Sequence, residues 1–331
     1  MSRAATGMPF DDIRNLLGGL PPVDDEARAA AAAHTASLAV PEGALGRMAE
    51  IAEWVAGWAG MTQPAITRPL IAIFAGTHGL AAAMPDAEQG ATHRLVELYA
   101  AGGGAVNQLA LEAEAGLKVF DLALDMPVPD IRSEEALSEA ACAATMAFGM
   151  ESIAGGTDIL CLGAAGEGGR ISAAALMAAL FGGAPGDWTA QDRSNGSTFA
   201  NEAVAAALAT HEGHFGDPLE ALRRIGSREL AAIAGAILAA RYQRIPVLLD
   251  GFVSCAAAAV LHKMEPSALD HCMAAHVSAD PAHARLLAAI GKTPLIESGI
   301  SLEEGAGAAL GLAMVKSALA IHRGTATRDK L

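Results

Sequence analysis

The sequence predicts an α/β protein: a doubly wound, mostly parallel six-stranded sheet covered by helices, with a small helical lobe formed by the N- and C-terminal segments. Two observations carry this prediction. Short apolar, β-type runs alternate with long alanine-rich helical stretches. Glycines follow the strand-like runs and open the helices after them, as the turns of a parallel sheet require.

The first 60 residues read as helices, with Asp24, Asp25 and Glu26 placed after Pro21-Pro22 where acids favour a first turn. From Arg68 onward the strand-like runs are Leu70–Ala75, Leu117–Leu124, Asp158–Leu162, Val247–Leu249, Cys272–Val277 and a weaker Pro294–Ile296. A glycine-punctuated helix over Gly305–His322 closes the chain. The expected division is a helical lobe over 1–66, joined by part of 305–331, and a Rossmann-like catalytic domain over 67–304. The polar stretch Asp192–Thr198 reads as a loop.

Composition narrows the function classes. The 331 residues carry 22 basic and 37 acidic side chains, a net charge of −15 that disfavours nucleic acid and anionic lipid as partners. Hydrophobic residues reach 52% but aromatics only 4%, so the apolar excess is alanine, and no run approaches a membrane span. Acidic Asp11 and Asp12 stand where a secretory signal would place its apolar core, so the expectation is a cytoplasmic protein acting on small molecules. Cys142, Cys161, Cys255 and Cys272 lie among apolar residues without CxxC spacing, and the ten histidines form no HExxH-like cluster. The expectation is reduced, buried thiols, with no metal and no cofactor.

In a parallel sheet, ligands bind beyond the carboxyl ends of the strands. There the sequence places Gly76-Thr77-His78-Gly79, Gly163 to Gly169, Asp250-Gly251, His276 to Pro281, and Glu303-Glu304-Gly305. Gly76, Gly163, Asp250, Ser278 and Glu304 are expected to converge on one crevice. The Gly163–Gly169 run reads either as a dinucleotide fingerprint, which would make the protein an oxidoreductase, or as a tight strand-to-helix turn. The Glu303-Glu304 pair reads either as a general base or as acids favouring a helix dipole.

Taken in order, several stretches resemble the nicotinate-nucleotide:dimethylbenzimidazole phosphoribosyltransferases of cobalamin synthesis. They include PEGALGRMAEIAEWVAGW (41–58), FAGTHG (74–79), AGGGAVNQLA (101–110), RELAAIAGAILAA (228–240), PVLLDGF (246–252), SALDHCMAAHVSADPAH (267–283) and LEEGAGAAL (302–310). The resemblance implies a homodimer that moves phosphoribose from nicotinate mononucleotide to 5,6-dimethylbenzimidazole, with inversion at C1′, giving α-ribazole 5′-phosphate and nicotinate. It implies Glu304 as the general base, with Glu303, which replaces a family glycine, pointing to solvent. Gly76, His78, Gly79, Gly163, Gly166, Gly168, Asp250, Gly251, Ser278 and Gly305 are the implied substrate-binding positions.

The chain departs from the family pattern at its phosphate loop, where GAAGEGGRIS (163–172) stands for GEMGIGNTT, so that Ala164 replaces a second glutamate. A phosphate-binding lysine aligns with Glu202, and Arg94 replaces a glutamine on the base side. Arg170 or Arg193 is expected to supply the phosphate's counter-charge. A paralogue with an altered substrate, or a non-catalytic ligand-binding role, is the alternative these departures suggest.

Overall fold

The computed structural model describes residues 7–85, 87–88, 90–189 and 195–330, with Asn195 and Gly196 described by backbone alone. Three helices come first: α1 (Phe10–Gly18), α2 (Asp25–Ser37) and α3 (Arg47–Ala59). Asp24 starts α2 by accepting the Ala27 amide at 2.9 Å. Strand β1 (Pro69–Ala75) follows, then α4 (Ala91–Ala100), α5 (Ala105–Glu112) and β2 (Gly116–Asp121). After α6 (Glu139–Met150) the chain forms β3 (Ile159–Ala165), α7 (Gly169–Phe181), α8 (Asn195–Thr210), α9 (Pro218–Ile225) and α10 (Arg228–Tyr242). The last third alternates β4 (Val247–Leu249), α11 (Phe252–Met264), β5 (Cys272–Ser278), α12 (Pro281–Ala289), β6 (Pro294–Gly299) and α13 (Ala306–Gly324).

The six strands form one sheet in the order β2-β1-β3-β4-β5-β6, every neighbour parallel. Side chains alternate between its faces with a period of two. Leu70, Ala72, Phe74, Leu160, Leu162 and Leu249 join α1 and the helices from α6 to α12 in one core. Ile71, Ile73, Ile159, Cys161 and Leu248 join α3, α4, α5 and α13 in the other. Both faces are therefore covered, and β1 and β3 are buried along their whole length, as their unbroken apolar runs require. On the first face α6 and α10 cross at matched notches. A Cβ on Gly149 would collide with the Ala232 carbonyl, and one on Gly235 with that of Met146.

The expected strands are all present, with shifted ends. Strand β2 stops at Asp121 rather than Leu124, because the Asp121 carboxylate takes the Leu124 amide at 3.0 Å and turns the chain away. Strand β3 runs on to Ala165, since Gly163, Ala164 and Ala165 pair with Ile73, Phe74 and Ala75. The N-terminal helices divide between the faces. Helix α1 seats Phe10, Ile13 and Leu17 in the first core. Helix α3 seats Ile51, Ala52 and Val55 beside α13 in the second. Among the described residues no helix is long and apolar enough to cross a membrane.

Candidate active site

The chain winds outward in one direction from β1 to β2, then returns across β1 and continues from β3 to β6, so the direction reverses between β1 and β3. A crevice at the carboxyl ends of the strands belongs at that switch point. The segment after β6 travels back over the sheet to reach it. Ala164 donates its amide to the Glu303 carbonyl at 2.7 Å, and Asp250 accepts the Gly305 amide at 2.9 Å and the Ala308 amide at 2.7 Å. Gly163 has no side chain because the Glu304–Gly305 peptide lies against it; a Cβ would come within 2.7 Å of the Glu304 oxygen. Gly305 has φ +96°, a turn that other residues rarely adopt, and starts α13 over Ile71 of β1. Gly163, Asp250, Glu304 and Gly305 thus meet at one point.

Glu304 is 9% exposed. Burial, reinforced by the charge of Asp250, raises its carboxyl above the ordinary range, against the pull of nearby backbone amides. Tyr99 of α4 lies on the same side: its hydroxyl is pushed up by burial and then by the charge of Glu304. Asp250 is fully buried, 3.4 Å from His276 Nε2. Burial works against protonation of that imidazole, but Asp250 outweighs it and the pKa is raised.

Glu303 does not point to solvent. Its carboxylate accepts the Val253 amide at 3.0 Å at the start of α11, where Gly251 leaves room for it. Burial raises its pKa, opposed by the Val253 amide and Arg170. The expectation failed because the Val253 amide and the bare Cα of Gly251 form a seat for the side chain. Helix α13 begins at Ala306, and both residues lie in the segment before it.

On the other side of the switch point, His78 Nε2 meets Glu229 Oε1 at 2.7 Å, both side chains buried. Glu229 is wedged between the two glycine turns: a Cβ on Gly169 would lie 2.7 Å from its Oε1, and one on Gly76 would overlap Oε2. Burial acts to raise the Glu229 pKa, but His78 prevails and holds it below the usual range. Gly76 donates to the Ala165 carbonyl at 3.0 Å, and Gly166 packs on the Gly76 carbonyl. Gly168, with φ +95°, packs on His78. A cavity of about 570 Å³ opens beside these turns, with Thr77, His78, Glu88, Thr92, His93 and Glu167 among its lining. Glu167 ties its walls together, accepting the Glu88 amide at 3.2 Å and donating its own amide to Thr92 Oγ1 at 3.1 Å.

Other expected site residues have structural partners. Gly79 packs on the backbone of Val128 and Asp130. Arg94 is exposed and pairs with Glu88 at 2.7 Å. Arg170 pairs with Asp280, donates to the Trp188 carbonyl at 2.8 Å and stacks 3.4 Å from the Phe252 ring centre. Ser278 holds His283, whose Nδ1 accepts the Ser278 amide at 3.1 Å. Burial, then His276 and Arg170, push the His283 pKa down to about 3. Arg193 and the neighbouring 190–194 lie outside the described residues.

Glu229 and Asp280 lie in stretches that the sequence singles out, but the sequence assigns neither a role. The partners of Glu229 and Arg170 are 151 and 110 residues away, so no local spacing announces them. The four cysteines are free and buried, their thiol pKa values raised by burial. Among the described residues no group of three or more His, Cys, Asp or Glu is placed to hold a metal ion.

A family model described as phosphoribosyltransferase matches residues 20–330. The chain is 53% identical over 328 residues to the nicotinate-nucleotide–dimethylbenzimidazole phosphoribosyltransferase of Rhizobium etli (strain CIAT 652), covering 98% of this chain and 97% of that one. The chain belongs to this phosphoribosyltransferase family. A relative of the same name from Agrobacterium fabrum (strain C58) is 53% identical over 326 residues, covering 97% of this chain and 94% of its own. The solved structure of the Thermus thermophilus protein of that name is similar throughout, with TM-score 0.84 and 31% identity over 92% of this chain and 98% of its own. The family match runs through every segment of the crevice, from Gly76 to Ala308.

Proposed function

We infer that the protein transfers phosphoribose from nicotinate mononucleotide to 5,6-dimethylbenzimidazole, giving α-ribazole 5′-phosphate and nicotinate, as a cytoplasmic homodimer. The observation that carries the chemistry is Glu304, a sheltered carboxylate of raised pKa fixed at the switch point. One ring nitrogen of the base attacks C1′ as the bond from C1′ to the pyridinium nitrogen breaks, and the proton on the other ring nitrogen passes to Glu304. Nicotinate leaves from a cationic ring and needs no acid, so orientation and proton removal are the protein's tasks. The cavity beside the β1 and β3 turns, with Ala81, Ala82, Leu124 and Pro127 in its lining, suits a flat apolar bicycle. The β3–α7 turn is the reading for the phosphate, with Arg170 supplying charge rather than a free fork, since Asp280 and the Trp188 carbonyl already hold its guanidinium. The near full-length identity to phosphoribosyltransferases disfavours the dinucleotide oxidoreductase reading.

Glu304→Gln is expected to lower kcat by roughly a hundredfold to ten-thousandfold, with calorimetric affinity for nicotinate mononucleotide retained. Wild-type turnover in that variant would remove Glu304 as the base. Failure of the unaltered protein to form α-ribazole phosphate from the two substrates would remove the activity itself. Light scattering tests the dimer, which should weigh twice the 33.4 kDa chain.

A further inference from the structure

We propose that Glu303 is a positioning residue for the reaction, a strut whose seating on α11 aims the adjacent Glu304 at the crevice. The proposal rests on the reading of Glu304 as the base. The segment carrying the two glutamates has no helix or strand of its own, so its attachments, together with the amides of Glu303 and Glu304 that the Glu304 carboxylate approaches, decide where Glu304 points. Two of the attachments grip the main chain: Ala164 holds the Glu303 carbonyl, and Asp250 holds the Gly305 amide. The third is the Glu303 side chain, which spans to a different element and takes the Val253 amide at 3.0 Å. Three attachments on β3, α11 and the β4 turn restrain rotation of the segment as well as its position.

The seat is matched to its occupant. Gly251 presents a bare Cα to the carboxylate; a Cβ there would lie 2.7 Å from Glu303 Cδ and 3.0 Å from Oε1. The α11 N-terminus and Arg170 both favour negative charge at this spot. The neighbours also show that the two glutamates diverge. Glu303 is bonded to Val253 of α11, which packs on the first face of the sheet, whereas Glu304 lies near enough to Tyr99 of α4, on the second face, for its charge to act on that hydroxyl. With Glu303 seated on α11, Glu304 is turned to the opposite side. Losing the seat frees the segment to rotate, and misplacing a reacting group by about 1 Å can cost on the order of a hundredfold in rate.

The test uses steady-state kinetics of the full chain with nicotinate mononucleotide and dimethylbenzimidazole, plus thermal melting. Glu303→Ala should lower kcat by about tenfold to a hundredfold while KM for the nucleotide stays within about threefold, because the loss falls on the transition state. Glu303→Gln keeps an oxygen for the Val253 amide and should recover most of that loss. Gly251→Ala evicts the carboxylate without backbone strain, since its φ is −78°, and should reproduce the Glu303→Ala defect. Adding Gly251→Ala to Glu303→Ala should then cost nothing more, because nothing remains to evict. Wild-type kcat in Glu303→Ala, with Glu304→Gln inactive, overturns the strut and leaves the base. Multiplicative losses in the double variant also overturn the strut. A fully active Glu304→Gln removes the base reading and the strut together.

Discussion

The two ends of the sheet differ in the charges they hold. At the carboxyl end, acids lie against backbone amides: Asp250 on those of Gly305 and Ala308, Glu303 on Val253, Asp280 on Ala282. At the amino end, cations lie against carbonyls and rings. Lys292 donates to the Leu269 carbonyl at 2.6 Å, and Arg241 lies 4.3 Å from the Trp58 ring centre. Parallel strands impose this polarity, because every following helix turns its amides toward the carboxyl end and its carbonyls toward the other. The dipoles therefore favour a carboxylate at the carboxyl end, although neither end is exclusive. Asp158 at the amino end takes the Thr67 and Arg68 amides, and Arg170 at the carboxyl end lies against the Trp188 carbonyl and the Phe252 ring. The amino end serves stability.

Three changes sharpen that contrast, in falling order of effect. Asp250→Ala strips an acceptor from two amides and a carboxylate from beside His276. It should cost about 3–5 kcal/mol in urea unfolding and abolish turnover. A small stability change would show that the carboxyl end tolerates an empty acid position. Gly163→Ala drives a methyl into the Glu304–Gly305 peptide. Its expected stability cost is about 1–3 kcal/mol, and its kcat should fall by about tenfold or more. A loss of stability with no change in rate would detach the glycine from the chemistry.

The third change probes the amino end through pH. His271 is fully buried, donates Nε2 to the Ile237 carbonyl at 3.0 Å, and has its pKa lowered to about 3 by burial and then by Arg241. Its unfolded pKa is about 6.5, so acidification protonates the unfolded chain first and stability falls as pH drops below that value. Between pH 7 and 5 this one group should remove about 2 kcal/mol, and His271→Gln should flatten that portion of the curve. The acid limb of kcat/KM should stay where Glu304 sets it, above the ordinary glutamate value of about 4.3. A shift of that limb in His271→Gln would mean that the two ends are coupled.

The sheet was legible because its strands are short apolar runs between helices, a pattern local enough to read from neighbours. Its strand ends were less so, since pairing with β1 carries β3 through Gly163-Ala164-Ala165, which alone has little strand character. Within the crevice, Asp250 and Glu304 stood out as acids beside glycines at strand or helix ends. Their joint geometry did not, because Asp250 acts on amides 55 and 58 residues later. Glu303 was misjudged for a related reason: its direction depends on the α11 amide that it reaches, and on the bare Cα of Gly251, neither of which adjacency to Glu304 discloses.

The Asp250 bonds to Gly305 and Ala308 also set a timetable for biosynthesis. As the chain leaves the ribosome, β1, β3 and β4 emerge long before the residues that complete their common crevice. Until Gly305 has appeared, Asp250 lacks both of its amides; until Ala308 has, it lacks one, and the second face of the sheet lacks α13. Any nascent chain truncated before Glu304 lacks the proton acceptor and both amides that hold Asp250. The residue assigned to the chemistry thus arrives after all six strands, just ahead of the helix that covers their second face.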